Sequence, residues 1–198
     1  MKTRLVPLLG EAGAARLHAR MVEKALATAR ASGFEAIYLY CSPRVETPFF
    51  RRMERRFKVG LHSQGRGGLG ERMHRAFKRA LRRHPYVVLI GSDCPALRPS
   101  DLRAAGRALR EGADAVLVPA EDGGYPLIGL RRVSRQVFDG IPWGGPQVLA
   151  RTRSRLKGLH WRWQELRMRW DVDRPEDVAR LRRSKLLGKP ALRSPRTS

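Results

Sequence analysis

Cysteine is scarce: 198 residues hold only Cys41 and Cys94, set far apart. This excludes a disulfide framework and a cysteine-built zinc cluster, and it fits a reducing compartment. No apolar run approaches the roughly 20 residues that cross a bilayer, and the opening MKTRLVPLLGEAG has too short an apolar stretch for a signal peptide. A cytoplasmic protein is therefore expected. The histidines form no HExxH, and no GxxxxGK[ST] occurs, so neither that zinc-hydrolase site nor a P-loop is present. Acid is in short supply too: 18 Asp and Glu stand against 41 Lys and Arg, a net charge of +23, and the pI is about 11.6. No acidic residue follows Asp177.

That imbalance makes attraction to polyanions a property of the whole surface, with nucleic acid, anionic lipid and phosphorylated metabolites all eligible. Most of the excess is Arg, spread along helices and not gathered in one block, and an Arg-rich codon bias would produce the same statistic. The length suits about one domain that buries roughly 70% of its unfolded surface. With a hydrophobic fraction of 42%, an ordinary globular core is expected.

Ala14, Leu17, Met21, Ala25 and Ala29 recur at helical spacing within residues 11–31, and Gly33 supplies a stop. The run 36–40, AIYLY, reads as a buried strand, followed by a polar, Arg-rich connection. Leu69, Met73, Ala76, Phe77, Ala80 and Leu81 predict an amphipathic helix ending near His84-Pro85. Residues 86–91 show no alternation and suit a parallel strand covered on both faces. A helix capped by Ser100 and stopped at Gly112 leads to a buried strand over 114–120.

The order then loosens. YPLIGL at 125–130 is followed by a short helix around Gln136 to Phe138, the loop GIPWGGP, and a helix from Gln147 to Leu159. Residues 161–170 read as a strand, and a helix opens at Pro175 with acids in its first turn. The segment 185–198 reads as a disordered basic tail after a single domain over 1–184. The alternation specifies a three-layer α/β/α domain with a mostly parallel sheet, whose ligands sit beyond the carboxyl ends of the strands. Aspartate stands at each such end.

Asp93, in GSDCP after the most apolar strand, is placed either to hold a divalent metal or to cap a turn. Cys94 reads as a small buried hydrophobe. In Glu121-Asp122-Gly123-Gly124-Tyr125 the glycines let backbone approach a ligand beside two acids, though a hairpin turn explains them equally. Asp171 and Asp173 alternate at a strand end and can converge on one cation, while a helix cap also accounts for Asp173. Gln64 to Met73 is a Gly-rich loop opening a helix, whose N–H groups suit a phosphate or a sugar hydroxyl. It contains G-x-G-x-x-G, but no strand precedes it to make a dinucleotide fingerprint.

Taken together, KTRL at 2–5, QGxGxLGERM, LIGSDCP, PAEDGGYxLIGL, IPW and DVDxPED resemble, in order and spacing, a family of bacterial glycosyltransferases. It is the arsenosugar-biosynthesis group of the nucleotide-diphospho-sugar transferase superfamily, with a GT-A-like fold. The resemblance runs from Lys2 to Leu181 and implies a metal-dependent glycosyltransferase with a nucleotide-sugar donor and an acceptor it does not name. On that reading Asp93 and Asp173 hold Mg2+ or Mn2+, and Asp93 and Asp122 are catalytic. Lys2, Arg4, Gln64, Gly70 and Arg72 serve the nucleotide and its phosphates, while Glu121, Gly123, Gly124, Tyr125 and Trp143 line the sugar or acceptor side. Relatives carry a hydrophobic strand and a Pro- and Gly-containing turn before KTRL. Here Met1 directly precedes Lys2, so a start upstream of Met1 is expected. Gly68, Pro126, Gly144-Gly145 and Arg174 also depart from the family pattern.

Other readings remain open at this stage. A nucleotidyltransferase of the same fold needs the same acids and basic loop. A nucleic-acid-binding protein would use the positive charge with Trp161, Trp163 and Trp170 as stacking faces, although packing explains them as well and no specific nucleic-acid partner is expected. A non-catalytic remnant is the third.

Overall fold

The computed structural model describes residues 3–184 together with 186 and 187. A 3-10 turn at Thr3–Leu5 leads into α1, Val6–Ala31, broken near its start at Gly10. There follow β1 (Tyr38–Cys41), α2 (Pro48–Phe57), β2 (Gly60–Ser63), α3 (Leu69–Ala80), β3 (Val87–Ile90) and α4 (Pro99–Arg110). The chain continues through β4 (Ala115–Val118), β5 (Leu127–Leu130), a 3-10 turn at Arg135–Val137, α5 (Val148–Gly158), β6 (Trp163–Glu165) and α6 (Pro175–Ser184).

Two sheets result. β1 and β2 form a parallel pair, and a four-stranded sheet has the order β3-β5-β4-β6, with β5 antiparallel to β3 and β4 and β6 parallel to β4. Alternate residues of β4 and β5 face opposite layers. Ala115, Leu117, Ile128 and Leu130 join Phe77 of α3 and Leu156 of α5 in one cluster. Val116, Val118 and Leu127 join Leu102 and Leu109 of α4 in another. Leu26 of α1 and Met53 of α2 cover the small sheet through Ile37, Leu39 and Val59. The layering is the expected α/β/α arrangement.

The differences from expectation are local. The Arg-rich connection after β1 contains α2 and β2, which have no long apolar stripe: Met53 is the one buried residue of α2, and β2 is half-buried or exposed throughout, so the strand that does precede the Gly-rich loop was not expected. Ser100 does not cap α4, because the helix begins at Pro99. The N-terminal turn closes instead through Arg98 N–H donating to the Asp101 carboxylate at 2.9 Å. The strand expected over 161–170 is confined to Trp163–Glu165 and an isolated bridge from Arg169 to Ala120, since β4 alone offers it a partner. β3, expected as a parallel strand covered on both faces, instead pairs antiparallel with β5 and is half-buried at every position, whereas β4 and β5 are fully buried; among the described residues β3 has a strand partner on one side. The tail from residue 185 lies outside the described residues, apart from 186 and 187.

Candidate functional site

The loops after β3 and after β6 meet at the carboxyl end of the larger sheet. Val172 N–H donates to the Asp93 carbonyl at 2.9 Å, so DVD at 171–173 is laid beside SDC at 92–94. The Cys94 thiol donates to the Trp170 carbonyl at 3.1 Å, and burial pushes it up to about 12, which makes it a buried hydrophobe and not a nucleophile. Ser92 Oγ lies 3.3 Å from Asp93 Oδ1. Asp173 is joined to Arg4 by an ion pair. The backbone N–H groups of Asp173 and Arg174 donate to the Asp177 carboxylate at 2.9 and 2.7 Å, which closes the first turn of α6.

Asp93, Asp122, Asp171 and Asp173 line one cavity of about 1370 Å³ together with Arg4, Gln64, Arg72, Gly124, Tyr125 and Trp143. The structure thus brings most of the sequence candidates to one concavity. Asp171 and His18 of α1 line it too. Asp171 was visible in the alternation of DVD, whereas nothing near His18 in sequence marks it. Among the described residues, no group of three or more His, Cys, Asp or Glu side chains is close enough to hold a metal.

Three candidates have other occupations. Glu121 is held in a bidentate pair by Arg180 at 2.6 and 3.0 Å, whose guanidinium stacks 4.5 Å over Trp170. Hydrogen bonding from Arg180 keeps the Glu121 carboxyl below its ordinary range. Gly123 sits at φ +85°, and a Cβ there would be 2.1 Å from the Pro146 carbonyl oxygen, so it lets the 120–125 turn lie against the 145–148 loop. Gly70 does the same for α3, where a Cβ would meet the Phe138 carbonyl oxygen and the Trp143 indole nitrogen, each at 2.8 Å. None of the three lines the cavity. Lys2 lies outside the described residues.

The Gly-rich loop is tied down by its own helix. Glu71 accepts from Gly68 N–H at 2.9 Å, and Arg72 donates to the Gly67 carbonyl at 2.8 Å and to Gln64 Oε1 at 3.2 Å. The α3 terminus is therefore already capped by a carboxylate, and Gln64 and Arg72 line the cavity beside it. On the opposite wall the Asp122 carboxylate accepts from Gly124 N–H at 2.8 Å. Tyr125 packs edge-on against Trp143, with ring centroids 6.3 Å apart, and its hydroxyl accepts from Thr152. Desolvation pushes this phenol up to about 12. The three tryptophans proposed as stacking faces are engaged in packing: Trp161 is buried under Arg132, Trp163 lies against the same core, and Trp170 lies under Arg180.

Residues 25–145 match a family of uncharacterized proteins conserved in bacteria, DUF2064. The chain belongs to that family. No curated protein matches the sequence significantly. Among solved structures, a Desulfovibrio desulfuricans G20 protein assigned as a nucleotide-diphospho-sugar transferase superposes with a TM-score of 0.82. It is 30% identical, and the match covers 93% of this chain and 81% of that one. Glucosyl-3-phosphoglycerate synthase of Mycobacterium tuberculosis, solved with Mn2+, UDP and glucosyl-3-phosphoglycerate, gives a TM-score of 0.56 at 15% identity. That match covers 86% of this chain and 74% of that one. A cytidylyltransferase of Leptospira borgpetersenii gives 0.56 at 11% identity, covering 80% and 72%. The last two share the fold alone. This DUF2064 protein has the GT-A-like fold of nucleotide-diphospho-sugar transferases, and its structural neighbours are transferases. No helix among the described residues is long and apolar enough to cross a membrane.

Proposed function

We propose that the protein is a glycosyltransferase that takes a nucleotide-diphospho-sugar donor and places the diphosphate between Arg4 and the Asp93–Asp173 pair. The observation that carries this reading is the 2.9 Å bond from Val172 N–H to the Asp93 carbonyl. It holds two aspartates, far apart in sequence, on one wall of one cavity. Two carboxylates with room for phosphate oxygens and water form the donor set that a hard divalent cation accepts. Asp93 and Asp173 would hold Mg2+ or Mn2+, whose chemistry there is to neutralise the diphosphate and the departing nucleoside diphosphate.

The chain's own residues do the rest. Arg4, released from Asp173, turns its guanidinium to the phosphates, for which its planar donor fork is suited. Gln64 and Arg72 bound the nucleotide side. Asp122, fixed by Gly124 N–H, presents its free oxygen to an acceptor hydroxyl and orients or deprotonates it. Tyr125 and Trp143 form the apolar wall behind. Gly123 and Gly70 serve by letting these walls approach. An arsenosugar pathway, a particular sugar and a cytoplasmic location belong to this proposal only as its finer form.

The test is a panel of nucleotide-sugars measured by calorimetry with and without Mg2+ or Mn2+, on the wild type and on Asp93→Asn. Cation-dependent donor binding that falls at least tenfold in the variant, with the thermal midpoint unchanged, is expected. Equal binding by both proteins would leave Asp93 as a turn cap. The cytidylyltransferase neighbour keeps one second reading in play, a nucleotidyltransferase acting on a phosphorylated acceptor. Pyrophosphate release from a nucleoside triphosphate would favour it.

A further inference from the structure

The face of β1 and β2 that lies beside α3 carries rings and positive charge. Tyr38 and Tyr40 alternate on β1, and the parallel register sets them next to Gly60 and His62 of β2. The His62 ring lies 5.1 Å from that of Tyr38 and 5.3 Å from that of Tyr40, between centroids. Gly60 makes room for this packing, since a Cβ there would stand 3.0 Å from the Tyr38 ring. The Tyr38 hydroxyl lies 3.0 Å from Nε2 of His84, just past the end of α3, and Arg75 of α3 donates to the Gln64 carbonyl at 3.2 Å, just past the end of β2. Both ends of the helix are thus tied to this face.

Arg75 and Arg79 of α3 and Arg83 just beyond it are spaced i, i+4, about 6 Å apart along a helix axis, and all three are exposed. The charges of Arg79 and Arg83 reach His62, whose pKa is lowered by burial first and by these two guanidiniums after it, so the imidazole is neutral at pH 7. Between Glu54 and Asp93 the sequence holds one acid, Glu71, and its carboxylate is taken up by Gly68 N–H. Among the described residues neither Arg79 nor Arg83 has an ion-pair partner, whereas Arg51, Arg56, Arg153 and Arg180 are held by carboxylates. None of His62, Arg75, Arg79 and Arg83 lines the cavity, so this ridge stands outside both the candidate site and the space between β1 and β3.

We propose that this ridge binds single-stranded nucleic acid without choice of sequence, with successive backbone phosphates along Arg75, Arg79 and Arg83 and one base stacked on the His62 imidazole. Regularly spaced guanidiniums suit an anion that repeats along a chain, and a neutral ring beside them serves a ligand with flat groups between its charges. A duplex keeps its bases stacked on one another and has none to offer. An anionic membrane would call for exposed apolar anchors, and among the described residues the large ones, Leu8, Leu69 and Met168, belong neither to this ridge nor to the small sheet. This inference does not depend on the sugar-nucleotide reading.

The test is fluorescence anisotropy of the full chain with a labelled dodecauridylate across a salt series. Saturable binding is expected at about 150 mM KCl. The double variant Arg79→Ala, Arg83→Ala should weaken it at least tenfold and flatten the slope of log K against log salt by about 1.4, the share of two single-strand phosphate contacts. Arg151→Ala with Arg155→Ala removes the same charge from an exposed i, i+4 pair on α5 and should change binding less than threefold. His62→Ala should weaken the oligonucleotide at least fivefold and leave inorganic polyphosphate unchanged, and His62→Tyr should restore the loss. If the His62 variants fail to fold, the two arginine pairs still decide. Four results would each overturn the proposal: no saturable binding at that salt, equal losses in the two arginine pairs, equal losses of oligonucleotide and polyphosphate in His62→Ala, or retention on phosphatidylserine vesicles that the Arg79, Arg83 variant loses while still binding the oligonucleotide.

Discussion

Replacing Asp101 by Asn tests how the site's scaffold is held. Asp101 and Arg169 form a bidentate pair at 2.6 and 2.9 Å, and their side chains are 9% and 12% exposed. Arg169 also donates its N–H to the Pro119 carbonyl at 2.9 Å, and its own carbonyl accepts from Glu121 N–H at 3.2 Å. The pair therefore bolts the start of α4 to the segment that delivers DVD. Asp101→Asn keeps shape and one acceptor oxygen for Arg98 N–H but leaves the guanidinium buried without a counter-charge. Breaking a buried pair in this way costs about 3–5 kcal/mol. The remaining acceptor puts the expected loss near the low end, about 3 kcal/mol, out of a total stability of roughly 5–15 kcal/mol. At about 2–4 °C per kcal/mol for a chain of this size, the melting midpoint should drop by roughly 6–12 °C. Urea unfolding at pH 7 measures it, and the loss should change little with salt because the charges are shielded from solvent. Adding Arg169→Met should restore more than half of the loss, since the uncompensated charge goes with it. A loss below about 1 kcal/mol, or a double variant no better than the single one, would refute the reasoning.

Other outcomes follow from single contacts. Gly123→Ala places a Cβ 2.1 Å from the Pro146 oxygen at φ +85°, and should cost at least about 2 kcal/mol in urea unfolding. Arg153 holds Glu165 at 2.6 and 2.7 Å, and this hydrogen bonding lowers the Glu165 carboxyl's pKa. A depressed carboxylate stabilises the fold above its unfolded value of about 4.3 and loses that contribution as pH falls through the folded value. Glu165→Gln should therefore cost about 0.5 kcal/mol at pH 7, given the exposure of Arg153, with the gap to wild type closing as pH drops below about 4. Cys41 and Cys94, pushed by burial up to about 11 and about 12, should resist a thiol reagent at pH 8 until urea unfolds the chain, and rapid labelling of the folded protein would contradict their placement.

Legibility in the sequence followed burial. α3 shows itself because Met73, Ala76, Phe77 and Ala80 are buried at helical spacing, and β4 because every residue of it is buried. α2 does not, because its phenylalanines are only half-buried and arginines stand between them. Its start is marked by Thr47, whose hydroxyl accepts from Phe50 N–H at 3.2 Å, a cap written in Thr47-Pro48 but without a periodic face behind it. β2 exists through pairing with β1, a non-local fact. At the site the strand-end aspartates were readable from position alone. The engagement of Glu121 was not, since Arg180 lies far along the chain. Nor were the packing duties of Gly70 and Gly123, which depend on backbone brought close by the fold.

The sign of the charge around the cavity bears on the proposed chemistry more directly than the net charge does. In a chain of +23, the sparse acids include Asp93, Asp122, Asp171 and Asp173 on the wall of a single cavity. A diphosphate brought there by the basic surface would meet carboxylates, and like charges in a partly desolvated cleft repel. Arg4 offsets one of them through its pair with Asp173, but if it turned to the phosphates it would leave that carboxylate exposed to the same anion. On the proposed reading, Asp93 and Asp173 would hold a divalent cation, and its positive charge would offset both carboxylates while Arg4 served the phosphates. The arrangement therefore favours a substrate that arrives with its cation over a bare anion, so any affinity for free nucleotide without divalent metal should be weak and steeply reduced by salt.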